Sequence, residues 1–211
     1  MSGLPLHEAI RSGTLEEIEN LVATGADINA KDKLNRTPLH IAAWKGDSKV
    51  VQLLIRSNAN LKECAIDGFT ALHFAAQSGD SLSCELIVKK YKPILNAKVK
   101  GNKTALHLAA AKNYEAVVSI LLQLGADPTL LTNKRQLASD LTTNESIKNL
   151  LKDSTTTRGK LKQKRLSFED GNPDRVVNFN GETDILVSKP NDSIGEEIDN
   201  GAKRQRPDDN T

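Results

Sequence analysis

An all-α solenoid of stacked helix-turn-helix units, followed by a disordered tail, is the fold class this sequence predicts. Three observations carry that expectation. A short block recurs at a near-constant period through the first three-quarters of the chain. Between its copies, apolar residues return at helical spacing and glycines punctuate them. Aromatic residues make up only 3% of the 211, so the core must be built from Leu, Ile, Val and Ala, which suits small helices packed closely.

The block reads Leu4-Pro5-Leu6-His7, Thr37-Pro38-Leu39-His40, Thr70-Ala71-Leu72-His73 and Thr104-Ala105-Leu106-His107, with the histidines 33, 33 and 34 residues apart. A worn fifth copy, Leu137-Ala138-Ser139-Asp140, follows 33 residues later with Asp140 in the histidine position. End repeats degrade in this way because one face meets water in place of a neighbour.

Within each unit the elements follow in a fixed order. Thr37 caps a helix start, and Pro38 at the first helical position forfeits no needed hydrogen bond. Ala42 and Ala43 let that helix lie close to its neighbours, and Gly46 ends it. Val50, Leu53 and Leu54 then form the buried stripe of a second, antiparallel helix. Gly25-Ala26-Asp27 and Gly125-Ala126-Asp127 close that helix, and residues such as Ile28 to Asp32 extend into a hairpin-like loop.

These residues closely resemble the ankyrin-repeat family, whose pattern is Gly-x-Thr-Pro-Leu-His, Ala-Ala, Gly, an apolar outer helix and Gly-Ala-Asp. The resemblance covers residues 1–153, divided at about 1–33, 34–66, 67–99, 100–132 and a degenerate 133–153, with 154–211 as a disordered charged tail. Asn35 and Asn102 stand where the loop glycine is expected, a substitution Asn supports because it tolerates a left-handed backbone. Asn58 and Tyr91 replace the glycine after the second helix. The third unit carries one extra residue near Tyr91-Lys92-Pro93, which predicts irregular stacking of the third unit on the fourth.

Composition and motifs narrow the function. A net charge of +2 does not by itself make the chain a polyanion binder. Cys64 and Cys84 have no paired metal spacing, and no leader-like apolar stretch opens the sequence, so an intracellular protein, cytoplasmic and/or nuclear, is expected. No run approaches a membrane span. No phosphate loop or nucleophile signature occurs, so neither catalysis nor a cofactor is expected. Four histidines at one register invite a metal reading, but each sits on its own repeat, roughly 10 Å from the next at helix-packing distances. Tying each helix start to the adjacent loop is the favoured role.

What remains is binding at positions the framework leaves variable. By the resemblance, these line a concave face and its loop tips: Lys33, Leu34, Arg36, Trp44, Lys45, Asp67, Phe69, Gln77, Lys103 and Lys112. Trp44, the only tryptophan, has two readings, an exposed anchor for a partner or a ring packed on Phe69. Its basic neighbours suit an acidic protein segment better than nucleic acid, for which few stacking rings are available. The expected function is a monomeric, non-enzymatic scaffold or adaptor. The alternatives are a dedicated chaperone or inhibitor of one client, and a nuclear regulator whose tail touches nucleic acid.

The tail holds two basic clusters that resemble nuclear-import signals, Arg158, Lys160, Lys162, Lys164 and Arg165, and Lys203, Arg204 and Arg206; such clusters also arise by chance. Ser167 follows the first and matches a basophilic kinase site, where phosphate would oppose the cluster's charge. Residues 176–187 form two β-prone runs about Asn180-Gly181, readable as a recognition motif or as an apolar fluctuation.

Overall fold

The computed structural model describes the backbone of residues 4–166 and the side chains of residues 4–156. Its helices come in antiparallel pairs: α1 (Pro5–Ser12) with α2 (Leu15–Ala23), α3 (Pro38–Lys45) with α4 (Ser48–Arg56), α5 (Ala71–Ser78) with α6 (Ser81–Lys90), and α7 (Ala105–Ala111) with α8 (Glu115–Gln123). The first helices of the pairs pack on one another in sequence order, α1 on α3 on α5 on α7, and the second helices do the same. No strand forms among the described residues, where the hairpin-like loops hold only isolated bridges, Cys64 to Thr70 and Val99 to Lys103.

The alanine pairs explain the close stacking of the inner row. Ala42, Ala43, Ala75, Ala76, Ala109 and Ala110 are all fully buried, and side chains of one carbon let backbones approach with little entropy to lose. Leu39, Leu72 and Leu106 fill the space between inner and outer rows, met by Val50, Leu54, Ile87, Val117 and Leu121 from the outer helices. Outer helices start on their own caps: Thr14, Asp47 and Asp80 accept the amides of Glu17, Val50 and Ser83 at 3.2, 3.2 and 3.0 Å.

Left-handed backbone marks the turns. Gly46 (φ +74) and Gly79 (φ +85) end the inner helices of the second and third repeats, and Asn113 (φ +58) does so in the fourth. Asn35, Asn58 and Asn102 adopt positive φ as expected for glycine stand-ins. Tyr91 does not: at φ −142 the chain leaves α6 extended and enters a 3₁₀ turn, Lys92–Asn96, which absorbs the extra residue. A β-carbon on Gly79 would sit 3.2 Å from the Tyr114 ring. Gly79→Ala is therefore expected to cost about 1–2 kcal/mol from backbone conformation alone, read as a lowered urea midpoint. Gly25→Ala meets no atom within 4 Å, so the difference between the two isolates the Tyr114 contact.

The fifth repeat keeps a single 3₁₀ turn, Ala138–Asp140, in place of an inner helix. Asp140 still does the histidine's local work, accepting the Leu137 amide at 2.8 Å. The last helix, α9, runs Glu145–Leu166 and buries Ile147 and Leu151. The boundary expected at 153/154 lies along this helix, where Ser154 and Thr156 hydroxyls back-bond to the Leu150 and Lys152 carbonyls at 2.8 and 3.0 Å. Leu, Lys, Gln and Arg beyond that point are good helix formers, which local Ser and Thr content obscured.

Candidate functional site

The repeated histidines are framework. In the second, third and fourth repeats Nδ1 accepts the amide of the capping threonine: Thr37 to His40 at 3.0 Å, Thr70 to His73 at 3.3 Å and Thr104 to His107 at 3.2 Å. With Nδ1 accepting, the proton sits on Nε2, which donates across the repeat boundary from His40 to the Glu63 carbonyl at 3.1 Å and from His73 to the Ala97 carbonyl at 3.0 Å. His7 reaches the Arg36 carbonyl at 2.8 Å, but Leu4 replaces the capping threonine and leaves its Nδ1 without a partner. Burial pushes His40 and His73 down to about 4, against the opposing pull of the carbonyls they meet. It lowers His107 too, opposed by the Gln136 and Leu130 carbonyls, although its Nε2 makes no hydrogen bond of sound geometry. Among the described residues no cluster of His, Cys, Asp and Glu could hold a metal ion.

Four positions after each histidine, Arg11, Trp44, Gln77 and Ala111 succeed one another near the ends of the stacked inner helices. Trp44 is 58% exposed and borders a shallow depression shared with Arg11, Ile41 and Lys45. It makes no ring contact with Phe69 among the described residues. Phe69 is instead half-buried, 5.7 Å from His73 and 5.3 Å from Phe74 between ring centroids.

One residue further on, the variable position reaches back to the preceding repeat. The Lys45 ammonium donates to the Ile10 carbonyl at 3.0 Å, and the Ser78 hydroxyl to the Ala43 carbonyl at 2.9 Å. Both reach carbonyls in the last turn of the preceding inner helix, where the helical ladder runs out. Lys45, expected to meet a partner, is thus a bolt between the first two repeats. Arg36 is similarly committed: its Nη2 lies 2.7 Å and its Nε 2.9 Å from Asp32 Oδ2. Asp32 also accepts the Leu34 and Arg36 amides at 2.9 Å and faces Arg11 at 3.4 Å. Burial works to raise the Asp32 pKa, but these Arg36 and backbone contacts outweigh it and hold the carboxyl below its usual range.

The loop tips carry the remaining accessible surface. Leu34 is 50% and Ile66 66% exposed, and the Ile66 amide donates to the Leu34 carbonyl at 3.0 Å, so the two apolar tips are adjacent. The equivalent bond from Asn133 to Gly101, at 2.9 Å, joins the fourth and fifth tips. Its counterpart from Lys100 to Asp67 is absent among the described residues, which agrees with the irregular third-to-fourth junction. Trp44 lies at the other end of α3 from these tips, about 12 Å away by helix rise.

Lys33, Asp67, Lys103 and Lys112 are exposed and Gln77 half-buried. Lys98, Lys134 and Arg135 also stand exposed on the fourth and fifth tips, where the repeat motif carries no signal for them. Arg158, Lys160, Lys162, Lys164 and Arg165 fall on the α9 backbone with their side chains outside the described residues. Ser167, residues 176–187, Lys203, Arg204 and Arg206 lie wholly outside them. No described helix is long and apolar enough to cross a membrane.

Two family models match the chain. One described as ankyrin repeats in three copies matches residues 43–132, and one described as ankyrin repeats in many copies matches residues 6–55. No curated protein sequence matches significantly.

Proposed function

We propose that this chain, which belongs to the ankyrin-repeat family, is an adaptor that docks a partner protein on the face formed by its inner helices and loop tips. Ankyrin repeats are in general protein–protein interaction modules. The observation that carries the specific reading is Trp44: a large apolar ring, 58% exposed, held by a helix whose other large apolar side chains, Leu39 and Ile41, are buried. A tryptophan on a rigid support forms contacts at small entropic cost, and such rings dominate interface energetics. Leu34 and Ile66 extend the apolar surface along the tips. Lys33 keeps its charge free for a partner, whereas Arg36 and Lys45 act through the stack they brace.

Affinity capture with the wild-type chain, Trp44→Ala, Leu34→Ser and an outer-helix control, Leu82→Ser, tests the placement. A specific partner is expected to be retained by the control and weakened about tenfold or more by Trp44→Ala. Equal retention by all four chains would remove this face from consideration. A captured species that elutes with the chain at fixed one-to-one ratio, to the exclusion of others, would favour the single-client role over a multi-partner adaptor.

A further inference from the structure

The loop tips of the stack divide into two electrostatic halves. In the first half most of the cations are matched, Arg36 and Arg11 with Asp32 and Lys31 with Glu63 at 2.6 Å, and Lys33 stands apart from these pairs. In the second half they are not. Lys98, Lys100 and Lys103 on the fourth tip and Lys134 and Arg135 on the fifth are exposed, and among the described residues none of the five forms an ion pair. The two loops, residues 98–104 and 130–136, contain no carboxylate, and the bond from Asn133 to Gly101 brings their backbones to 2.9 Å. The nearby Asp140 carboxylate is turned onto the Leu137 amide. Lys103 and Lys98 contribute, after burial and against its carbonyl neighbours, to holding His107 neutral.

Crowding like charges on two adjoining loops works against the stack's own stability and raises local potential. A fold that neutralises most of the charge on its first tips internally leaves this cluster with counter-charge only from outside. Leu131, 44% exposed, lies beside it on the fifth tip. No aromatic ring occurs in either loop, so the stacking that single-stranded nucleic acid uses is missing. We propose that the fourth and fifth loop tips form a second docking site, separate from Trp44, for an acidic peptide segment carrying an apolar side chain against Leu131. Glutamate or aspartate carboxylates pair with Lys98, Lys100, Lys103, Lys134 and Arg135, and the apolar residue fixes register.

The test uses the full chain, ¹⁵N-labelled, titrated with an oligoglutamate peptide bearing one central leucine. Amide shifts are expected at Gly101 and Asn133, saturating at low salt and weakening steeply toward physiological ionic strength. Lys100→Glu with Lys134→Glu is expected to abolish those shifts, while the charge-matched outer-helix pair Lys49→Glu with Lys90→Glu leaves them. Trp44→Ala also leaves them, so loss of the Trp44 surface and loss of this site are read separately. The milder pair Lys103→Gln with Arg135→Gln should weaken binding by about tenfold, guarding against a fold effect of charge reversal. The proposal is overturned if Gly101 and Asn133 do not respond, or if both charge-reversed pairs lose the peptide equally. It is also overturned if single-stranded DNA or phosphatidylserine vesicles of matched charge shift those amides while the peptide does not.

Discussion

Acidification from pH 7 to pH 4.5 is expected to remove about 2–3 kcal/mol of stability for each of His40 and His73. Both folded values, about 4, lie below the free-histidine value of 6.5. Between those limits the unfolded chain binds protons that the folded chain refuses, so stability is full above about pH 6.5 and falls as pH falls toward 4. The structural cause is specific. A proton on Nδ1 would set it against the Thr37 or Thr70 amide that it now accepts, and burial outweighs the carboxylates that favour the charge, Glu63, Asp32 and Asp67 at His40 and Asp67 at His73. His107 adds to the trend in the same direction. Urea unfolding at steps from pH 7 to 4.5 reads the slope, and His40→Gln with His73→Gln identifies its source. A glutamine side-chain oxygen can still accept the capping amide, as in a capping box, but does not titrate. The double variant should therefore be less stable at pH 7 yet show a flatter profile. An undiminished slope would assign the acid sensitivity to carboxylates instead.

Leu72→Ala is expected to cost about 3 kcal/mol, within the range for a fully buried leucine. Leu72 is wholly inaccessible in α5, and α5 packs against both α3 and α7. In a stack whose stability is a sum of unit and interface terms, a cavity at that point weakens coupling to both sides. Leu82→Ala, on an outer helix and 50% exposed, should change stability by less than about 0.5 kcal/mol. Urea midpoints monitored by helix signal compare the two, and equal shifts would show that the third repeat does not bridge the stack. Broadening of the Leu72→Ala transition into two steps would place the break at the junction where the Lys100-to-Asp67 loop bond is missing.

Much of the stack was legible because its rules are local. A threonine three residues before a histidine specifies a helix start with its own hydrogen bonds, and Asn at a glycine position specifies the same left-handed turn, as Asn35, Asn58 and Asn102 bear out. The departures came where a local rule had two solutions. Tyr91 did not take the left-handed route but an extended one into a 3₁₀ turn, and the helix-forming residues after Asp153 carried α9 to Leu166.

The candidate binding residues were harder to sort, since variability along the chain marks freedom from the repeat frame but not freedom from neighbours. Lys45 and Ser78 occupy one variable register, and both reach back to a carbonyl of the previous repeat. Arg36 is held by Asp32, four residues away, in a loop whose turn creates the pairing. Lys134 and Arg135 lie in the most degenerate copy, where the motif offers least guidance, yet their loop docks directly on the fourth tip.

The sequence by itself determined the period, the order of inner and outer helices, the capping chemistry and the structural role of the histidines. Each of these depends on residues within one repeat and on spacings that a helix imposes. Tertiary structure decided that Lys31 and Lys45 are bound within the stack, because their partners, Glu63 and the Ile10 carbonyl, come from a neighbouring repeat that meets them only once the repeats have stacked. The same stacking left Trp44 open and brought five unmatched charges onto two adjoining tips, because backbone hydrogen bonding between neighbouring loops takes no account of the side chains it brings together.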